Sequence, residues 1–121
     1  MSILTSSAKA KGRKLQQWMA AKIAEAIGLE SGKDCPVESR PMGQTGVDIR
    51  LDKDALKLFP FSVECKAQEN WSIPSWIVQA KTNVLPKTDW LLVVKRSRED
   101  PVVIMDAATF FKMFEEGYNR K

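Results

Sequence analysis

The chain has 121 residues, 44% hydrophobic and 28% charged, which is enough for one compact domain and too few for two ordinary ones. It contains no histidine, and this excludes an imidazole general base, a Ser-His or Cys-His nucleophile pair and a zinc site with histidine ligands. The net charge is +4, with basic ends around an acidic middle at residues 34–69, a distribution that suits a polyanion-binding surface around a cation site.

The two cysteines, Cys35 and Cys65, form neither a C-x-x-C pair nor a zinc pattern, and we expect reduced thiols in a cytoplasmic protein. The N-terminus has no apolar targeting core, and the longest apolar runs fall far short of a membrane span. We therefore expect a soluble protein with no membrane partner.

The first predicted element is an amphipathic helix from Gly12 to Ile27, preceded by a loose basic arm over residues 1–10. Its apolar residues recur at 3.6-residue spacing, and Gly28 stands where a C-terminal cap is expected. Gln16 lies at the border of this apolar stripe. We predict that Trp18, and Trp76 later in the chain, face the core.

Three strands are predicted next. The first is a short edge strand at 37–40, ended by Pro41 and a glycine turn at 43–46. Apolar and polar residues then alternate over 47–52 and over 61–68, which indicates two strands with one apolar and one charged face each. Their short connection predicts an antiparallel pair with both charged faces on the same side of a sheet.

The last part of the chain predicts a second helix, two strands and a third helix. Ser72 is the expected N-cap of the second helix, which ends near Pro86, and strands follow at 90–95 and 102–105. Asp106 caps a final helix that is expected to bury its apolar residues, Ala107, Phe110, Phe111 and Phe114. The fold class is therefore α/β: one domain over residues 11–116 with a mixed central sheet flanked by helices, and a C-terminal tail at 117–121.

Asp48, Glu64 and Lys66 are predicted to converge on the charged face of the strand pair. Two neighbouring carboxylates repel each other unless a proton or a cation lies between them. Mg²⁺ prefers oxygen ligands and keeps several waters, so the two carboxylates and the backbone carbonyl of Cys65 can hold it with a water left for attack. Lys66 would orient or deprotonate that water, or stabilise charge on a phosphate. The alternative is an exposed salt-bridge ladder across two strands.

Asp48, followed after fifteen residues by Glu64-Cys65-Lys66, resembles the D…E-x-K signature of the PD-(D/E)xK nuclease superfamily. The arrangement is most similar to archaeal-type Holliday junction resolvases and related small phage nucleases. The resemblance covers most of the chain and extends to the entry into the first helix at 11–13, the strand end at 39–40, the glycine turn and the helix at 72–86.

The resemblance implies a restriction-endonuclease-like αβββαββ core and a DNA endonuclease dependent on Mg²⁺, for which Mn²⁺ can substitute. It implies that Asp48 and Glu64 bind the metal, that Lys66 is the catalytic lysine and that Gln68 occupies a polar position near it. Such resolvases usually have a glutamate where this chain has Gln16. Branched duplexes such as four-way junctions are the implied substrate, and two symmetric cuts imply a homodimer.

Other residues are candidates for contact with DNA. The basic residues that precede or begin the first helix are either a DNA-gripping segment or ordinary surface charge, and Ser39, Arg40 and Gln44 suit phosphate contacts or simply a strand end and a turn. Trp71 would stack on a splayed base or pack in the core, and Gln79 and Lys81 would reach phosphates or only solvent. The first group comprises Lys9, Lys11, Arg13 and Lys14. Two further hypotheses stay open: a nuclease fold that binds DNA without cutting it, supported by Gln16, and a protein-interaction domain with a coincidental motif.

Overall fold

The computed structural model describes residues 2–40 and 46–118, with side chains for 7–40 and 46–117. This part of the chain contains four helices and five strands. The helices are α1 (Ser2–Ile27), α2 (Lys53–Leu58), α3 (Ile73–Thr82) and α4 (Ala107–Tyr118). The strands are β1 (Val37–Ser39), β2 (Ile49–Leu51), β3 (Phe61–Ala67), β4 (Asp89–Lys95) and β5 (Val102–Met105). The α/β class is confirmed. None of the described helices combines the length and the hydrophobicity that crossing a bilayer requires.

The strands form two sheets rather than one. In the larger sheet β4 lies between β3, to which it is parallel, and β5, to which it is antiparallel. In the smaller sheet β1 and β2 are antiparallel, and the Arg50 guanidinium forms a 2.9 Å ion pair with Glu38 on the opposing strand. One backbone hydrogen bond of 2.9 Å, from the Asp48 N–H to the Val63 carbonyl, joins the two sheets.

The predicted antiparallel pairing of 47–52 with 61–68 is wrong. The connection holds α2 instead of a turn, and the Asp52 carboxylate caps that helix by accepting a 2.9 Å hydrogen bond from the Ala55 N–H. Strand β3 instead pairs in parallel with β4. The helix α3 forms the crossover connection that a parallel pair of strands requires. The observed order has two helices more, α2 and α4, than the αβββαββ core that the resemblance implies.

Helices cover both faces of the larger sheet, which places β4 in the interior. Alternate residues of β3, such as Val63, pack against α1, whereas Ser62, Glu64 and Lys66 face α3. Leu91 to Val94 are all buried, which confirms the predicted strand with two covered faces. Both cysteines are free, half-buried thiols.

The long helix α1 differs from its prediction in two ways. It begins at Ser2, so the segment expected to be a loose arm is helical, because a single residue such as Gly12 costs a helix only about 1 kcal/mol. Its buried stripe comprises Leu15, Gln16, Met19, Ala20, Ile23 and Ala24. Gln16 therefore lies within the buried stripe and not at its border. Trp18 was predicted to face the core. It lies two residues after Gln16, which places it on a different side of the helix, and it is 42% exposed. Trp76 is buried as predicted.

The C-terminal helix is also not packed as predicted. Asp106 caps it, since its carboxylate accepts a 3.2 Å hydrogen bond from the Ala108 N–H, and the helix continues to Tyr118. However, Phe110, Phe111 and Phe114 each expose about half of their surface, and Ala107 is exposed too. Neither described core cluster contains an α4 residue. Periodicity identified the helix correctly but not what covers its apolar face.

Candidate functional site

Asp48 lies where the two sheets meet. Its N–H donates to the Val63 carbonyl, and one oxygen of its carboxylate accepts a 2.7 Å hydrogen bond from the Cys65 N–H. Because the N–H and C=O of one strand residue point to the same edge, the Cys65 carbonyl also faces the side on which Asp48 lies. The backbone thus fixes Asp48 against the edge of β3, one residue away from Glu64.

Glu64 is 2% exposed and lies beneath α3. A carboxyl oxygen accepts a 2.6 Å hydrogen bond from the side-chain amide of Asn83, the C-cap of α3. Burial raises the pKa of Glu64 to about 7; the Asn83 amide opposes this rise, and the neighbouring Asp48 adds to it. Glu64 is therefore largely protonated below neutral pH.

The two carboxyl groups act on each other's titration. Burial also raises the pKa of Asp48, against the lowering effects of the Cys65 N–H and of Lys66, while the hydrogen bond between the carboxyls lowers the pKa of Asp48 and raises that of Glu64. The pKa of both carboxyl groups is therefore above its ordinary value, and burial is the main cause in each. Such a pair occupies the space in which a divalent cation can replace the proton.

Two basic side chains act on this carboxyl pair. The positive charge of Lys66 lowers the pKa of both Asp48 and Glu64, and that of Arg40 lowers the pKa of Asp48. Lys66 Nζ also lies 6.0 Å from the centroid of the Trp76 ring. The Arg40 N–H donates a 2.8 Å hydrogen bond to the Asp48 carbonyl, which ties the end of β1 to the site. Asp48 thus interacts with Glu64, Lys66 and Arg40, which come from β3 and from the end of β1.

The face that carries Glu64 is buried, although its residues are charged and polar in the sequence. Ser62 and Glu64 are both 2% exposed, because α3 and the loop after it cover this side of β3. The Ser62 hydroxyl accepts a 2.9 Å hydrogen bond from the Leu85 N–H and pairs with the Thr88 hydroxyl. An exposed salt-bridge ladder does not fit a glutamate in this position.

Asn83 is a site residue that the sequence analysis missed. The sequence signal that could have identified it is its position at the end of α3, the helix that connects β3 to the parallel strand β4. A crossover helix must pack on one face of the strand that precedes it, so a polar residue at its end lies near the polar residues of that face. The prediction of an antiparallel strand pair concealed this relationship.

The two predicted site glutamines, Gln16 and Gln68, have no hydrogen bond to the carboxyl pair among the described residues. Gln16 is 5% exposed on α1. The Gln68 side chain is exposed, while its carbonyl accepts a 2.9 Å hydrogen bond from the Trp71 indole. Within residues 7–40 and 46–117 no three His, Cys, Asp or Glu side chains cluster as metal ligands. A cation at this site would therefore have two carboxylates, a carbonyl and several waters, a set that fits Mg²⁺.

The candidate DNA contacts are spread over several surfaces. Lys9, Arg13 and Gln79 are exposed, Ser39 ends β1, and Gln44 lies outside the described residues. Trp71 is half-buried, with the Arg96 guanidinium stacked 4.4 Å from its ring centroid, and Lys81 Nζ lies 6.0 Å from the Trp90 ring centroid. Lys11 and Lys14 line a groove on α1.

Comparisons of the chain with known protein families, with curated proteins and with solved structures give no match. The geometry and charge that bear on function are therefore those of the buried carboxyl pair and the basic groups around it.

Proposed function

We propose that this protein is a Mg²⁺-dependent endonuclease of the PD-(D/E)xK type that hydrolyses phosphodiester bonds in DNA. The observation that carries the proposal is the buried carboxyl pair of Asp48 and Glu64 beside Lys66. A buried pair that shares a proton is costly to a fold, since desolvation disfavours its charged form. A divalent cation would remove this cost, and the pair would then serve as its ligands.

Asp48, Glu64 and the Cys65 carbonyl would hold the cation, which when bound polarises the phosphate and lowers the pKa of a water. The Cys65 N–H fixes the direction of the Asp48 carboxylate, and the Asn83 amide fixes that of Glu64. The ammonium group of Lys66 would orient the attacking water and stabilise charge on the phosphate. Arg40, whose charge reaches Asp48, would position a neighbouring phosphate.

A homodimer follows from the proposed action on four-way junctions, because two symmetric cuts need two sites. The C-terminal apolar surface, formed by Val102, Val103, Phe110, Phe111 and Met113, supports it: each of these side chains is about half exposed or more. An isolated helix of twelve residues is marginal in water, and β5 ends the described sheet with one edge unpaired. A second copy would cover both.

The test is cleavage of labelled four-way junction, nicked and linear DNA with Mg²⁺, with Mn²⁺ and with chelator. We expect metal-dependent cutting that Asp48→Asn reduces by at least about 100-fold, the scale of lost electrostatic stabilisation. Asparagine keeps an acceptor for the Cys65 N–H, and Asp54→Asn, on the exposed side of α2, is the matched control.

Salt-sensitive binding with no product would instead support the second candidate, a DNA-binding module that does not cut. The observation that favours it is Gln16, which places a neutral amide within the buried stripe of α1 where such nucleases usually have an acid. If the wild-type protein neither cuts nor binds DNA, both proposals are wrong.

A further inference from the structure

A groove of about 510 Å³ lies between α1 and the turn that joins β4 to β5. We call it the α1-turn groove. Leu15, Ala67 and Pro101 are among the residues that line it, and Ala67 directly follows Lys66 in β3. Because successive strand residues point to opposite faces, the groove opens on the face of β3 away from Glu64. It therefore adjoins the carboxyl site without being part of it.

Hydrogen bonds between three segments fix the walls of the groove. The Glu69 carboxylate accepts from both the N–H and the hydroxyl of Ser97, each at 2.8 Å. Lys11 Nζ donates to the same Ser97 hydroxyl at 3.0 Å. These contacts hold α1, the end of β3 and the β4-β5 turn together, so the groove is formed before any ligand enters.

The groove combines an aromatic side chain with an excess of positive charge. Five of its lining residues are basic (Lys11, Lys14, Lys95, Arg96 and Arg98) and two are acidic. One of the acids, Glu69, is already bonded to Ser97. Trp18 lies among them with 42% of its surface exposed, and Lys22 Nζ is 5.8 Å from its ring centroid. A large aromatic residue in an open basic groove offers a stacking surface next to phosphate-binding groups.

Stacking platforms with cationic rims are how proteins hold single-stranded nucleic acid. The volume of the groove is that of a pocket for one small ligand, so a duplex would not enter it. We propose that the α1-turn groove binds an unpaired segment of a DNA strand, with one base stacked on Trp18 and the flanking phosphates on Lys14 and Arg98. The proposal rests on the proposed function in taking DNA as the ligand; the groove would hold the strand that leaves the duplex at a branch point.

The experiment uses the full chain in chelator, so that binding is measured without cleavage. Anisotropy of a labelled oligothymidylate and of a duplex of equal length is followed across salt concentrations, with Trp18→Leu, Trp18→Phe and Arg98→Asn. Asparagine suits residue 98, whose φ is 64°, and Lys57→Ala on α2 is the control for charge elsewhere. Circular dichroism and thermal unfolding verify that each variant folds.

We expect Trp18→Leu to weaken binding of the single strand about tenfold, as for one lost base-aromatic stack, and Trp18→Phe to restore most of it. In both Trp18 variants the slope of log K against log salt should stay unchanged. Arg98→Asn should lower the slope of log K against log salt by about 0.7, the value of one phosphate contact on a single strand. Lys57→Ala should change neither quantity.

The proposal is overturned if folded Trp18→Leu binds the oligothymidylate as the wild type does, or loses duplex binding by the same factor. It is also overturned if Arg98→Asn leaves the slope unchanged, or if thymidine monophosphate competes as well per phosphate as the oligomer, which would indicate a free-nucleotide site. If the protein never cuts DNA but binds single strands through Trp18, the endonuclease proposal is wrong and the proposal for the groove stands. Normal cutting with no effect of Trp18→Leu would refute only the groove.

Discussion

The Asn83 side-chain amide donates a 2.6 Å hydrogen bond to the Glu64 carboxyl, and so links the end of α3 to the middle of β3. Asn83→Ala removes the donor that lowers the pKa of Glu64, and we expect that pKa to rise further above its value of about 7. Loss of a partner for a buried polar group should also lower the free energy of unfolding by about 1–3 kcal/mol. A carboxyl NMR titration and urea unfolding measure the two effects.

Thr82→Ala is the matched control for Asn83→Ala. Thr82 is the adjacent residue and is exposed, and its hydroxyl donates to the Val78 carbonyl within its own helix. The substitution Thr82→Ala should leave the titration of Glu64 unchanged. An equal shift in both variants would mean that the end of α3, and not the amide, sets the pKa of Glu64.

The raised pKa of Glu64 makes the stability of the metal-free protein depend on pH. The ordinary pKa of 4.5 applies in the unfolded chain, whereas the folded chain holds the proton until about pH 7. The folded state thus binds more protons between these values, so the free energy of unfolding should decrease as pH rises from about 4.5 to about 7 and then level off. Urea unfolding in chelator over this range measures the decrease. In Glu64→Gln, which does not titrate, most of it should disappear; an unchanged slope would assign the dependence to other groups.

Removing Mg²⁺ should lower the thermal stability of the protein more at high pH than at low pH. A cation displaces the proton that Glu64 holds below its pKa, so the apparent affinity for the cation should increase with pH up to about 7. We expect Mg²⁺ to raise the thermal unfolding midpoint clearly at pH 8 and little at pH 5. Asp48→Asn, which lacks one of the two charged ligands, should show no stabilisation at either pH. Equal stabilisation at both pH values would indicate binding elsewhere.

Lys66 and Lys81 allow a matched comparison, because each ammonium group lies 6.0 Å from the centroid of a tryptophan ring. Of these two lysines, Lys66 is the one whose charge lowers the pKa of Asp48 and Glu64. Lys66→Met should reduce cleavage by at least about 100-fold while Mg²⁺ still binds, whereas Lys81→Met should stay within a few-fold of the wild type. Single-turnover cleavage rates with saturating Mg²⁺ measure this. Similar losses in both variants would assign Lys66 a role in packing alone.

The elements predicted best are those whose sequence pattern depends only on local packing. Strand β5 has the predicted bounds and β4 begins one residue earlier, because a short apolar run between turn residues is a strong strand signal. The helix α2 was missed, since six residues are too few for a periodic pattern, and its capping residue Asp52 was assigned to a strand. That single omission led to the wrong pairing of β3.

The site was predictable as a set of residues but not as an environment. Alternation along two strands selected Asp48, Glu64 and Lys66, which do interact. The burial of Glu64 and its bond to Asn83 depend on how α3 crosses the sheet, and a period of two or 3.6 residues carries no information about that crossing. The same limit explains why Gln16 was placed at the border of the buried stripe of α1 and Trp18 within the core: only packing against β1 and β3 fixes which residues of the helix are covered.

The phenylalanines of α4 give the sharpest test of the proposed homodimer. Phe111 is 57% exposed, so in a monomer Phe111→Asp would replace a mostly solvated side chain and leave stability within about 0.5 kcal/mol. In a dimer the same change would place a charge in an apolar interface, and the protein should dissociate. Light scattering over a concentration series should give twice the mass of one chain for the wild type and a single chain for Phe111→Asp. Leu58→Asp, at an equally exposed leucine on α2, should remain dimeric. A monomeric wild type would contradict the homodimer and leave the carboxyl site untouched, whereas dissociation of both variants would place the interface elsewhere.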